Sequence, residues 1–132
     1  MLDEDRIKQI EAEVEQAATA HLNARDFETA LNHFTEDVVA VSNTAVFSGR
    51  EALSVDVAEY YRILKKVNHA AWQDVHIHVI TENAASFTAK FSYGFTDVED
   101  KVIELEGVWT ALFERIEGDW KMRLRHESFE QK

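Results

Sequence analysis

The chain has no cysteine and no proline, and only four glycines among its 132 residues. Without cysteine there is no disulfide framework and no thiolate metal site. Without proline, helix ends rest on capping residues alone. Basic side chains are scarce: 14 stand against 25 acidic ones, a formal charge of −11. That balance repels phosphate backbones and anionic lipid surfaces, so neither nucleic acid nor a membrane is an expected partner. No apolar run approaches the roughly 18 residues of a membrane span. The opening MLDEDRIKQI lacks the basic stretch and apolar core of a signal peptide. A cytoplasmic protein is the expectation. The 45% apolar content and the absence of linkers, repeats or low-complexity runs indicate a single domain over residues 1–132. A domain of this size buries roughly 70% of the surface exposed by its unfolded chain.

Two periodicities divide the chain. Ile7, Ile10, Val14, Ala17, Ala18, His21 and Leu22 recur at helical spacing, which predicts an amphipathic helix over residues 4–24. Asp26 is a fitting N-cap for a short second helix with Phe27, Ala30, Leu31 and Phe34 along its stripe. Asp37 to Ser42 and Ala45 to Phe47 are β-prone runs around the turn-like Asn43-Thr44. Ser48-Gly49-Arg50-Glu51 matches a capping box, opening a third helix that runs to about Lys66, with Leu53, Val57, Tyr60, Tyr61 and Leu64 facing inward.

From Ala70 the period becomes 2, and long strands follow one another with short connections, the pattern of an antiparallel meander. Val75, Ile77 and Val79 alternate with His76 and His78. Phe87, Ala89, Phe91, Tyr93 and Phe95 alternate with Thr88, Lys90 and Ser92. Placing both apolar sets on one face requires paired residue numbers with an even sum, and so a three-residue turn or a bulge near Glu82-Asn83-Ala84. Helices first and a curved sheet afterwards give an α+β domain whose helices cover the concave face.

Residues 107–129 read as one hairpin turning at Glu117-Gly118. With Ile116 opposite Asp119, paired numbers sum to 235, and Trp109 meets His126. Trp109, Ala111 and Phe113 then share a face with Met122, Leu124, His126 and Ser128, a wall that is apolar at its base and polar at one end. Such a wall suits a ligand pocket. His126 is the leading candidate for an acid, base or ligand donor, because its ordinary pKa lies near neutrality. Trp109, Tyr93, Ser128 and His21 complete the polar cluster, and Tyr60 is the tyrosine of its pair expected to face the cavity. Each of these residues has a plain alternative as core packing or a satisfied polar group. His76 and His78 share a face, but two histidines without carboxylate help do not define a metal site. Glu104 and Glu106 have the right parity and fall about two strands away. No metal or other cofactor is expected.

The order of elements, the segment Val75-His76-Ile77-His78-Val79-Ile80-Thr81-Glu82-Asn83-Ala84-Ala85 and the closing Gly118-Asp119-Trp120-Lys121 … His126-Glu127-Ser128 resemble the NTF2-like superfamily. Within it, the chain resembles the SnoaL-like proteins and the association domain of calcium/calmodulin-dependent protein kinase II. The resemblance runs from about Val14 to Phe129. It implies a cystatin-like cone: three N-terminal helices on the concave face of a curved, mainly antiparallel sheet, a cavity between them, and self-association. The departures are informative. The tyrosine and the aspartate base of ketosteroid isomerases correspond to Ala18 and Ser42 here, and their oxyanion-binding acid falls near Trp109. Ser42 alone cannot serve as a proton-abstracting base, which disfavours that chemistry. The cavity arginines of the kinase association domain correspond to Phe91, Ala111 and Glu127, which argues against recognition of an acidic ligand by that arrangement.

The leading expectation is a small homo-oligomeric protein whose conical cavity binds a small, largely apolar molecule. The alternatives are a SnoaL-like enzyme (isomerase, cyclase or hydrolase-like) using His126 as acid or base, and a purely structural assembly module. Val108, Thr110, Leu112 and Ile116, beside Arg123 and Arg125, mark the convex sheet face as the expected homodimer surface.

Overall fold

A computed structural model describes residues 2–132. The predicted first helix is present as α1, Glu4–Leu22, with Asp3 capping its N-terminus. Its buried stripe is Ile10, Val14 and Ala18, and it packs on the later strands. Asp26 caps α2, Phe27–Asn32, and its carboxylate accepts from the Thr29 backbone N–H at 2.8 Å. Phe34 leaves the helix and opens strand β1, Phe34–Ser42. The turn at Asn43-Thr44 leads to β2, Ala45–Ser48, paired antiparallel with β1.

The expected capping box does not form. Ser48 is held in β2 opposite Val39, so Gly49 becomes the N-cap of α3, Arg50–Ile63, with φ +93° and no side-chain capping bond. Strand β3, Leu64–Thr81, then starts six residues before the expected change at Ala70 and runs for 18 residues. It pairs with β4, Ala84–Asp97, through four register shifts, one of which accommodates Asp74 at φ +53°. Bulges of this kind bend a strand, and here they let a long edge strand follow the curve of the sheet.

One of these shifts satisfies the even-sum requirement. Thr81 pairs with Ala84, and after one irregular step Val79 pairs with Ala85 and Ile77 with Phe87. Phe87 is fully buried, whereas His76 and His78 are exposed. Strand β5, Val102–Ile116, and strand β6, Asp119–Gln131, complete a six-stranded sheet of order β2-β1-β6-β5-β4-β3. The sheet is antiparallel except where β1 lies parallel to β6. Thus α+β architecture with N-terminal helices on a curved, open sheet is what the periodicities predicted.

The hairpin of β5 and β6 turns at Glu117-Gly118, both with positive φ (52° and 87°). Two such residues match the twist of a tight hairpin, which explains glycine at the second. Ile116 pairs with Asp119 and Phe113 with Met122, as expected, but the register then slips by one. Arg123 is the extra residue, and Leu112 pairs with Leu124. The guanidinium of Arg123 lies outside the sheet, 3.2 Å from Asp37 and 2.9 Å from Glu114. Every later residue of β6 consequently faces opposite to expectation. Trp109 pairs with Glu127, whereas His126 pairs with Thr110 and is exposed. Leu124 is 44% exposed, while Arg125 is buried at 5% exposure.

Candidate functional site

Between the helices and the sheet lies a cavity of about 370 Å³. Its apolar wall comes from Phe34, Trp72, Phe91, Leu105, Trp109 and Phe129, with Val57 and Ile63 of α3 across from them. The indoles of Trp72 and Trp109 lie 4.9 Å apart between ring centroids, and Phe87 meets each edge-on. Gly107 brings β6 close at this point, because a Cβ there would lie 2.1 Å from the Ser128 carbonyl oxygen. The ring of Phe129 thereby enters the wall.

Polar groups occupy the two ends. Towards the fully buried Phe87, Arg125 lies across from Ala111 on the same face. Arg125 Nη1 is 3.4 Å from Glu127, whose other oxygen accepts from Ser42 Oγ at 3.0 Å. No protein group among the described residues accepts from Arg125 Nε, Arg125 Nη2 or Trp72 Nε1, although all three are buried. Beside them His21 stacks on Trp109 at 6.2 Å, and its Nδ1 meets His33 Nδ1 at 2.9 Å. Burial, reinforced by the neighbouring His33 and Arg125, pushes the His21 pKa down to about 3. His21 is therefore neutral at physiological pH, and only one nitrogen of the close pair carries the shared proton.

At the other end, exposed Asp56 and Glu59 of α3 mark the opening. Tyr60 and Tyr93 are hydrogen-bonded through their hydroxyls at 2.5 Å, and the Tyr61 hydroxyl donates to the Ala24 carbonyl at 3.2 Å. Burial raises the pKa of all three phenols, that of Tyr61 to about 12. Each keeps its proton and serves as a hydrogen-bond donor near neutral pH.

The structure brings His21, Tyr60, Tyr93 and Trp109 to this cavity. His126 and Ser128 are not in its lining, because the Arg123 bulge turns both outward. The bulge also moves Arg125 from the expected convex face to the interior. Sequence reasoning missed Trp72, Arg125 and Phe129 as cavity residues, whereas the resemblance had placed Glu127 at a cavity position, and it chose between Tyr60 and Tyr61 where both contribute. Among the outward histidines of β3, His76 contacts Asp74 at 2.9 Å, and His69 Nε2 lies 2.5 Å from the Glu104 carboxylate of β5. Among the described residues, no three histidine or carboxylate side chains cluster as metal ligands. No helix among them is long and apolar enough to cross a membrane.

The profile of the SnoaL-like domain family matches residues 10–131, and the chain belongs to that family. It matches no curated protein sequence. Among solved structures, a candidate scytalone dehydratase from Novosphingobium aromaticivorans superposes with a TM-score of 0.87 at 14% identity, covering 96% of this chain and 87% of that one. A candidate dehydratase of the NTF2-like family from Streptomyces avermitilis gives 0.77 at 24% identity, covering 89% and 93%. A candidate calcium/calmodulin-dependent protein kinase II association domain from Xanthomonas campestris gives 0.72 at 15% identity, covering 91% and 84%. At these identities the likeness is one of fold, which is NTF2-like.

Proposed function

We propose that this protein binds a small, largely apolar molecule in the cone. The observation that carries the reading is the roughly 370 Å³ cavity walled by aromatic rings, with its hydrogen-bonding groups gathered at two ends. That is the chemistry of a site which takes up area from water and orients its occupant with a few polar contacts. Naphthalene, added at 100 times its dissociation constant, is expected to stabilise the fold by about 2.7 kcal/mol, a rise in Tm of about 10 °C. Leu105→Trp, which adds bulk to the wall and fills the cavity, should abolish the rise. Absence of any shift in the wild-type protein would sink the reading. Recovery of a bound molecule unchanged separates binding from turnover. The acid–base role expected of His126 has no support in this geometry, and the proton-transfer groups that line the cavity are Glu127, His21, Asp56, Glu59 and the tyrosines.

We also propose self-association through the convex face. Val39, Leu124 and Leu112 form a row across three strands there, with Val108 nearby, 51% exposed. Burying such a row contributes about 25 cal/mol per Å² before association costs. Light scattering is expected to give a dimer at micromolar concentration, and Leu124→Asp a monomer. A monomeric wild type overturns this proposal.

A further inference from the structure

Resting on the cavity reading, the geometry points to an uncharged ligand that carries a carbonyl-type oxygen acceptor, bound with that oxygen at Arg125. Buried donors without acceptors cost free energy, and three of them, Arg125 Nε, Arg125 Nη2 and Trp72 Nε1, belong to residues lining one cavity. Each residue brings donors and no acceptor. Among the described residues Arg125 makes one ion-pair contact, at 3.4 Å to Glu127, and its guanidinium lies over the Phe34 ring at 5.7 Å, so a small turn presents unpaired N–H groups to the void. An occupant that satisfies them must bring a hydrogen-bond acceptor, and a carbonyl oxygen, with two lone pairs, can accept from more than one of these N–H groups.

Charge then decides between a carbonyl and a carboxylate. A lone buried arginine would favour an anion. Here Glu127 already supplies one negative charge beside Arg125, and Ser42 holds that carboxylate in place. His21 adds no positive charge, since it stays neutral. The inner end therefore sums to zero, and an anionic ligand would leave one buried charge uncompensated. Asp56 and Glu59 at the opening, on a chain of net charge −11, further oppose entry of an anion. A neutral acceptor meets every requirement at once: it pairs the orphaned donors, preserves the charge balance and passes the acidic rim.

The test uses three probes of one shape, measured by calorimetry at pH 7: 2-acetylnaphthalene, 2-naphthoate and 2-ethylnaphthalene. The wild-type protein is expected to bind 2-acetylnaphthalene at least tenfold tighter than either of the others. Arg125→Met should bring 2-acetylnaphthalene down to the affinity of 2-ethylnaphthalene. Glu127→Gln removes the balancing charge and should invert the order, making 2-naphthoate the tightest by at least tenfold. A wild type that prefers 2-naphthoate, or that binds the acetyl and ethyl compounds alike, overturns the inference and leaves the cavity reading standing. A wild type that binds none of the three overturns both. Retention of the wild-type order in Glu127→Gln refutes the charge argument even if the variant is less stable, because the readout is a ratio within one protein.

Discussion

Trp109→Ala is expected to destabilise the protein by about 3 kcal/mol, whereas His126→Ala should stay within about 0.5 kcal/mol of wild type. Trp109 is 4% exposed and meets the rings of Trp72, Phe87, Phe113 and His21. Truncation of a buried tryptophan costs about 3–5 kcal/mol, and the lower end applies because part of this indole already borders the cavity rather than packed atoms. For a chain of this length that is a fall in Tm of about 10 °C. His126 lies on the exposed face of β6 opposite Thr110 and has no contact that its removal would break in the core. A double-mutant cycle on Trp109 and His126 should return a coupling below about 0.5 kcal/mol, since the two side chains lie on opposite faces of the sheet. A coupling of 1 kcal/mol or more would restore the regular register and place both residues on one face.

That pair shows where the sequence is legible and where it is not. The helices could be read because Ile10, Val14 and Ala18 repeat at helical spacing, and because Asp26 has the chemistry of a cap. The hairpin turn could be read because Glu117-Gly118 tolerates two positive φ values. The β3 and β4 register could be read because Ile77 and Phe87 contrast sharply with His76 and Thr88, so only one parity buries the apolar set. In β6 the same reasoning misled. Alternation puts Leu124 inside and Arg125 outside, and a bulge adds one residue without any signature of its own. The folded chain exposes Leu124 and buries a guanidinium, against the local hydrophobic preference. Such local conflicts concentrate at functional sites. Trp72 was missed for a different reason: it sits in a stretch whose Lys65, Lys66, Asn68 and His69 hide the strand period, since β3 is an edge and presents much of its length to solvent.

The same bulge couples the cavity to pH. Lowering the pH from 7 to 5 is expected to cost the wild-type protein about 2 kcal/mol of stability through His21, a loss that His21→Asn should largely escape. Folding takes the His21 pKa from the ordinary 6.5 to about 3, first by burial and then by the charges of His33 and Arg125. Between those values the unfolded chain binds a proton that the folded chain refuses, so stability is fully present above pH 6.5 and declines as the pH falls below it. His33 is shifted down as well, by burial and by Lys121, and acts in the same direction. The window from 7 to 5 lies above the ordinary carboxylate range, so the titrations of Glu and Asp contribute little to it. Urea melts at the two pH values measure the effect as a difference of differences, which removes any loss that His21→Asn causes at pH 7. Equal losses in the two proteins would show that His21 accepts its proton in the folded state. Arg125→Met should soften the wild-type loss, because it takes away one of the charges that hold the imidazole neutral. Arg125 would then be seen to act on His21 at the inner end of the cavity, as its inward position in the bulged strand requires.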